Sequence, residues 1–220
     1  MLQKELMGMK YLITEPLEGH KKHPAILLLH GAGSRGDDPG ILLGGAHFRY
    51  RERVEDFPFI TVAPRCSENT WFDMMPQLKA LVRHVAALPY VDASRIYLMG
   101  ASMGGYATWQ LAMSMPECFA AIAPVCGGGM YWNAARLKNL PVWAFHGAKD
   151  KTVAVEESQK MVDKVNAAGG NARLTVYPNN SHDAWTDAYS DPALYEWFLQ
   201  HQSCQAALDA DIYNNVERFG

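Results

Sequence analysis

Long apolar runs are missing from this chain: none approaches the ~20 residues that a membrane-crossing helix requires. The first ten residues set Lys4, Glu5 and Lys10 among their apolar side chains, so no secretory h-region forms there. Basic charge is not in excess. The 20 Lys and Arg face 23 Asp and Glu, a formal charge of −3, which removes the electrostatic footprint of a nucleic-acid binder. Cysteine is sparse. Cys66, Cys118, Cys126 and Cys204 are too few and too scattered for a disulfide framework or a zinc site. If the apolar stretch between Cys118 and Cys126 is a strand, eight steps of about 3.3 Å part them by ~26 Å, against a Cα limit of roughly 7 Å for a bridge. Low-complexity tracts, linkers and repeats of solenoid length are absent too. Together these absences predict a cytoplasmic protein with free thiols, no membrane span and no nucleic-acid partner.

What is present fits one α/β domain over residues 1–220. Apolar residues form 49% of the chain and charged residues 20%, the balance of a globular protein, which excludes disorder, collagen and coiled coil. Short aliphatic or β-branched runs at 10–14, 25–29, 59–63, 96–99, 120–124, 142–145 and 173–177 read as strands, mostly continuous in apolarity, as strands buried on both faces should be. Between them, Leu78, Leu81, Val82, Val85 and Leu88 recur at helical spacing and predict a helix over 77–88. Residues 156–168 repeat the pattern and stop at Gly169-Gly170. Further helices are expected at 106–115 and 193–200. Strand and helix in alternation predict a mostly parallel sheet covered on both faces. The glycine-rich stretch 126–140 is the candidate for an active-site flap, and the tail 203–220 shows no period.

The chemistry begins at Gly100-Ala-Ser-Met-Gly104, which follows one predicted strand and opens a helix. That is the context of a nucleophile elbow: a sharp turn lifts the Ser102 hydroxyl clear of the sheet, and small residues two positions away let helix and strand approach. The N–H of Met103, at the positive end of the helix, then faces a developing oxyanion. A serine hydroxyl needs a base and an acid to orient that base. Downstream of Ser102 stand His146, His182 and His201. His182 lies in a polar loop after the last predicted strand and is the candidate base. His201 reads as a solvated surface residue, and His146 as part of the turn that delivers the acid. Asp150, after the penultimate strand, is the candidate acid, with Asp183 and Asp187 as rivals. Ala32, and after it Gly33, in the glycine-rich turn that ends an early strand, is the second oxyanion donor.

These pieces resemble an α/β-hydrolase-fold serine hydrolase. The closest group is the small phospholipase/carboxylesterase and dienelactone-hydrolase-like esterases, which are also similar to feruloyl esterases and polyhydroxybutyrate depolymerases. The resemblance rests on His30-Gly-Ala-Gly33, on 64–73 with Trp71-Phe-Asp73, on the elbow, on 142–150 and on 177–185, in the right order along most of the chain. It implies a Ser102, Asp150 and His182 triad and an ester-cleaving activity without a cofactor. Dienelactone hydrolases carry cysteine as nucleophile, so the serine here does not imply their reaction. The peptidase relatives carry further domains for which 220 residues leave no room.

Large side chains at Trp71, Phe72, Met74, Met130, Tyr131, Trp132 and Trp185 fall in loops at the predicted catalytic edge. Of these Trp71 and Trp185, with Gly33, are the substrate-pocket candidates. Arg35, Asp37 and Asp38 suit either a polar leaving group or a solvated loop. The pair His20 and His23 lacks acidic or thiol companions, and no metal site is expected. With no room for a lid domain, the expected substrate is a small ester or an ester projecting from a polymer. A thioesterase or peptidase on the same residues and a non-catalytic binding protein of the same fold are the alternatives.

Overall fold

Among the described residues eight strands form one sheet, in the order β1-β2-β4-β3-β5-β6-β7-β8. In this computed structural model residues 1–14 and 21–203 are described; His20, Cys204 and the tail from 204 lie outside them. The strands are β1 (Leu2–Leu6), β2 (Met9–Ile13), β3 (His23–Leu29), β4 (Ile60–Pro64), β5 (Val91–Ala101), β6 (Ala121–Val125), β7 (Val142–Gly147) and β8 (Ala172–Tyr177). From β4 to β8 every pairing is parallel, and β1 and β2 add an antiparallel edge. Among the described residues the α-helices are α1 (Ala46–Arg53), α2 (Met75–Ala86), α3 (Met103–Ser114), α4 (Val155–Ala167), α5 (Trp185–Ala188) and α6 (Pro192–Leu199).

Alternation along the strands divides the core between the two faces. In β3, Ala25, Leu27 and Leu29 face a cluster built from α2, α3 and α4, while Ile26 and Leu28 face a second cluster with Phe48, Leu194, Tyr195 and Phe198. Both faces of the central strands are therefore dry. The predicted helices are present with boundaries moved by a few residues, the largest shift being at the start of α3, which begins directly after Ser102.

Three elements carry no sequence signal of their own. β1 is exposed along almost its whole length and is held by its ladder with β2 through a Met7-Gly8 turn with φ of 51° and 77° at the two positions. Such a turn matches the twist of a hairpin. Half of α1 is charged, and it buries only Ala46, His47 and Phe48. α5 is a single turn.

The strand order also locates the edge that matters. β3 is followed by β4 on one side and then β5 on the other, so the connections diverge above the carboxyl ends of β3 and β5. Open α/β sheets hold their ligands in the crevice that such a reversal leaves.

His47 of α1 is 1% exposed between the two groups that bond its ring, Tyr195 Oη at 3.0 Å and Thr61 Oγ1 at 2.9 Å. Burial, with Arg51 nearby, pushes its pKa down to about 3. In the unfolded chain the ring titrates near 6.5. The folded value being the lower one, the neutral ring favours folding fully above about pH 6.5, and that contribution shrinks as pH falls towards about 3. We expect His47→Gln to lose about 1.5 kcal/mol less stability than the parent between about pH 6.5 and about pH 5. Urea midpoints at the two pH values measure the difference.

Candidate active site

Ser102 stands where β5 gives way to α3, with φ of 56° and ψ of −118°, a conformation that non-glycine residues avoid. Such backbone strain costs on the order of 1–3 kcal/mol and persists only where neighbours overdetermine it. Here they do. The Ser102 N–H donates to the Val125 carbonyl at 2.9 Å, and its own carbonyl accepts from the Tyr106 N–H at 3.0 Å. Strand and helix are thus tied from either side of one residue. The approach is closer than a side chain allows: a Cβ on Gly104 would lie 2.0 Å from the Leu29 carbonyl oxygen, and one on Gly100 would lie 2.4 Å from that of Gly104.

A continuous row of hydrogen bonds leads away from this serine. Ser102 Oγ lies 2.8 Å from His182 Nε2, and His182 Nδ1 lies 2.7 Å from Asp150 Oδ2. A carboxylate only accepts, so Nδ1 carries the proton and Nε2 is left to accept from the serine hydroxyl. Asp150 follows β7 with its side chain fully buried. Its Oδ1 accepts from the N–H groups of Thr152 at 2.8 Å and Val153 at 2.9 Å. Burial alone would push the carboxyl up, but the bonds from His182, Val153 and Thr152 outweigh it and hold it below the usual carboxylate range. The loop that carries His182 is seated against the end of β7, where a Cβ on Gly147 would come within 2.1 Å of the Ser181 carbonyl. The His182 side chain is 23% exposed, and its ring meets the edge of Trp185 at 5.4 Å. The rival acids turn elsewhere, Asp183 to Ser181 and Asp187 to the Asn180 amide. His201 is half-buried against Trp197, rather than solvated as its polar flanks predict.

Beside the row lies a cavity of about 640 Å³ whose rim includes Ser102, His182, Ala32 and Gly33. Ala32 opens a 3-10 turn, Ala32–Ser34, at the end of β3, and Met103 opens α3. Among the described residues neither backbone N–H is engaged by another carbonyl. Trp185 and Gly33 line the cavity. Trp71 does not. It is 0% exposed, and its indole N–H donates to the His30 carbonyl at 2.9 Å, which makes it a core residue supporting the turn above it. His30 is held in the same way: the Cys66 N–H donates to its Nε2 at 3.0 Å, and burial lowers its pKa to about 4. Arg35 ties the turn outward to Asn69, and Asp38 caps the next 3-10 helix through the Gly40 N–H.

The stretch 126–140 contributes nothing to this cavity. Its 3-10 helix, Tyr131–Leu137, sinks Ala134 and Leu137 into the core. The wall comes instead from Pro39–Gly44, with Ile41 and Leu42, and from Leu28, Ala46 and Tyr189. A short apolar run between glycines directly after the Ala32 turn is the signal that could have found it.

An eight-stranded, mostly parallel sheet with a strained serine at a strand-to-helix crossing above its reversal point is the architecture of the α/β-hydrolase fold. The chain belongs to the dienelactone hydrolase family, whose model matches residues 50–214. Over 184 residues it is 23% identical to a bifunctional acetylxylan esterase/xylanase, XynS20E, of Neocallimastix patriciarum; the match covers 79% of this chain and 26% of that one, so the chain spans about a quarter of that relative's length. Among solved structures it is similar to a thermostable esterase, with a TM-score of 0.74 and 28% identity over 88% of this chain and 59% of the other. It also shares the fold of Est1E from Butyrivibrio proteoclasticus, at a TM-score of 0.70 and 16% identity over 90% and 97% of the two chains.

Trp71→Phe keeps most of the core volume and removes one donor, leaving the buried His30 carbonyl without its partner. We expect a loss of about 1–3 kcal/mol in denaturant-monitored stability; an unchanged midpoint would show that the indole N–H does not hold the turn.

Proposed function

We propose that the protein is a serine carboxylesterase with Ser102 as nucleophile, His182 as general base and Asp150 as the acid that orients it. The observation that carries this reading is the unbroken row from Ser102 Oγ through His182 to the buried Asp150, with contacts of 2.8 and 2.7 Å. As the Ser102 oxygen attacks the ester carbonyl, its proton passes to His182 Nε2. The resulting imidazolium is stabilised by Asp150, and the tetrahedral oxyanion is received by the N–H groups of Met103 and Ala32. His182 then returns the proton to the departing alcohol. Water hydrolyses the acyl-enzyme by the same path. No step calls for a metal or an organic cofactor.

The substrate class we favour is a small or polymer-linked carboxylic ester. The resemblance to an acetylxylan esterase supports the polymer-linked form. The cavity walls of Leu28, Ile41, Leu42 and Trp185 suit an apolar acyl or aryl group. A thioesterase or peptidase on the same row is the alternative reading of the same geometry.

A fluorophosphonate should label folded protein on Ser102, located by mass spectrometry. Ser102→Ala should lose at least about a thousandfold in kcat on p-nitrophenyl acetate. Absence of the adduct, or undiminished turnover by the variant, rejects the serine mechanism. A panel of short-chain, feruloyl, acetylated-sugar, thioester and anilide substrates then separates esterase from thioesterase and peptidase: the highest kcat/KM should fall on an oxygen ester.

A further inference from the structure

Beneath Asp150 lies a second histidine whose protons are fixed by its neighbours. His146 is in β7, four residues before Asp150, and is 0% exposed. Its Nε2 lies 2.9 Å from the Val153 carbonyl oxygen and 3.3 Å from Asp150 Oδ2. Its Nδ1 lies 2.8 Å from Ser158 Oγ, on α4. The Ser158 hydroxyl is in turn 2.7 Å from the Gly127 carbonyl oxygen.

A hydroxyl has one proton to give and a carbonyl has none. The Ser158 proton therefore goes to Gly127, which leaves Ser158 Oγ as an acceptor towards His146, so Nδ1 must carry a proton. The Val153 carbonyl requires another on Nε2. A neutral imidazole supplies only one, and either neutral tautomer would set two acceptors face to face in a buried site. We propose that His146 is a buried imidazolium, a positioning residue that holds Asp150 from below while His182 binds it from above.

The neighbouring carboxylate makes such a charge tolerable, since a buried cation needs a close, hydrogen-bonded anion. Both imidazoles converge on the same oxygen, Asp150 Oδ2, at 2.7 and 3.3 Å. A ring with both nitrogens protonated offers no lone pair, so the cluster of Cys126, His146 and Asp150, whose donor atoms lie within 4.8 Å of one another, is not open to a metal ion. Cys126, at the end of β6, stays a neutral thiol, its pKa pushed up to about 12 by burial.

The consequence for turnover rests on the serine-esterase reading. Two cations on one carboxylate repel, so the fixed charge at His146 keeps His182 unprotonated, and ready as a base, to lower pH. The other titratable groups around this point are Tyr106 on α3, whose phenol feels both Asp150 and Glu157, Glu157 itself on α4, and the exposed Lys149 and Lys151 of the acid's own loop.

Nitrogen-15 NMR of histidine-labelled enzyme tests the protonation without any turnover, with the His146 signals assigned by their loss in His146→Gln. Both ring nitrogens of His146 should bear protons near neutral pH; one protonated nitrogen overturns the proposal. In folded His146→Gln the acid limb of the kcat/KM profile should move to higher pH by on the order of one unit. A fall in kcat with an unmoved limb would make the residue merely structural and overturn its electrostatic part. If His146→Gln does not fold, assignment through Ser158→Ala, which perturbs the Nδ1 signal, leaves the test on the parent enzyme intact. Should Ser102 fail to react with fluorophosphonate while His146 shows two protons, the esterase reading falls and the imidazolium stands.

Discussion

The close passage of α3 over the end of β3 is the constraint on which the remaining geometry depends. Gly104 brings the helix so near that its missing side chain would overlap the Leu29 carbonyl. With the helix axis fixed there, the chain between Ala101 and Met103 has a single residue in which to turn, and Ser102 takes up the strained φ. The turn after β3, which contributes Ala32, then lies beside that serine because β3 and β5 are neighbours in the sheet. One packing contact thus sets the distance between the proposed nucleophile and the proposed oxyanion donors. No side chain has to be adjusted for it. Interior packing at crystal-like density makes such a contact stiff, as a site held to fractions of an ångström requires.

Parallel strands bring the other two groups to the same edge. β7 ends below Asp150 and β8 ends below the loop with His182, and the ladder between them registers His146 against Val176 and Gly147 against Tyr177. The two side chains differ in how firmly they are held. Asp150 is anchored by two backbone N–H groups and a buried setting, whereas His182 is partly exposed on a loop whose seat is the bare backbone of Gly147. In the proposed scheme that difference has a purpose: the acid stays ionised in one place, while the base has to meet an incoming and a leaving group in turn.

Much of this was legible in the sequence because the physics behind it is local. Gly100 and Gly104 flank Ser102 at a spacing that only a tight strand-to-helix turn needs, and the runs that became β3, β5, β6 and β7 are apolar throughout because both of their faces are covered. What stayed hidden depends on partners distant in sequence. β1 has no apolar face and exists through its ladder to β2. Half of α1 is charged, and of its three buried residues His47 bonds Thr61 of β4 and Tyr195 of α6 while Ala46 and Phe48 join the core. Trp71 is next to Phe72 and Asp73 in a loop motif, but a large aromatic ring with one donor fits equally well in a pocket or under a turn. Only the position of the His30 carbonyl decides between them.

Histidine shows the same limit most clearly, because a ring's function is set by what its two nitrogens face. His47 sits between a tyrosine hydroxyl whose proton goes to the Tyr189 carbonyl and a threonine hydroxyl able to donate, so one nitrogen donates, the other accepts, and burial keeps the ring neutral. His30 accepts from the Cys66 N–H with one nitrogen and is neutral for the same reason. His182 has a carboxylate on one nitrogen and a hydroxyl on the other, which leaves a lone pair at the reacting end. His146 faces oxygen on both sides, one of them a carbonyl and the other a hydroxyl already committed to Gly127. Three of these four imidazoles are therefore neutral, and the fourth, in the proposal above, is charged. Sequence spacing separates His182 from the others by its loop, but the remaining distinctions arise only when β3, β4, β7 and α4 have packed and each nitrogen has met its partner.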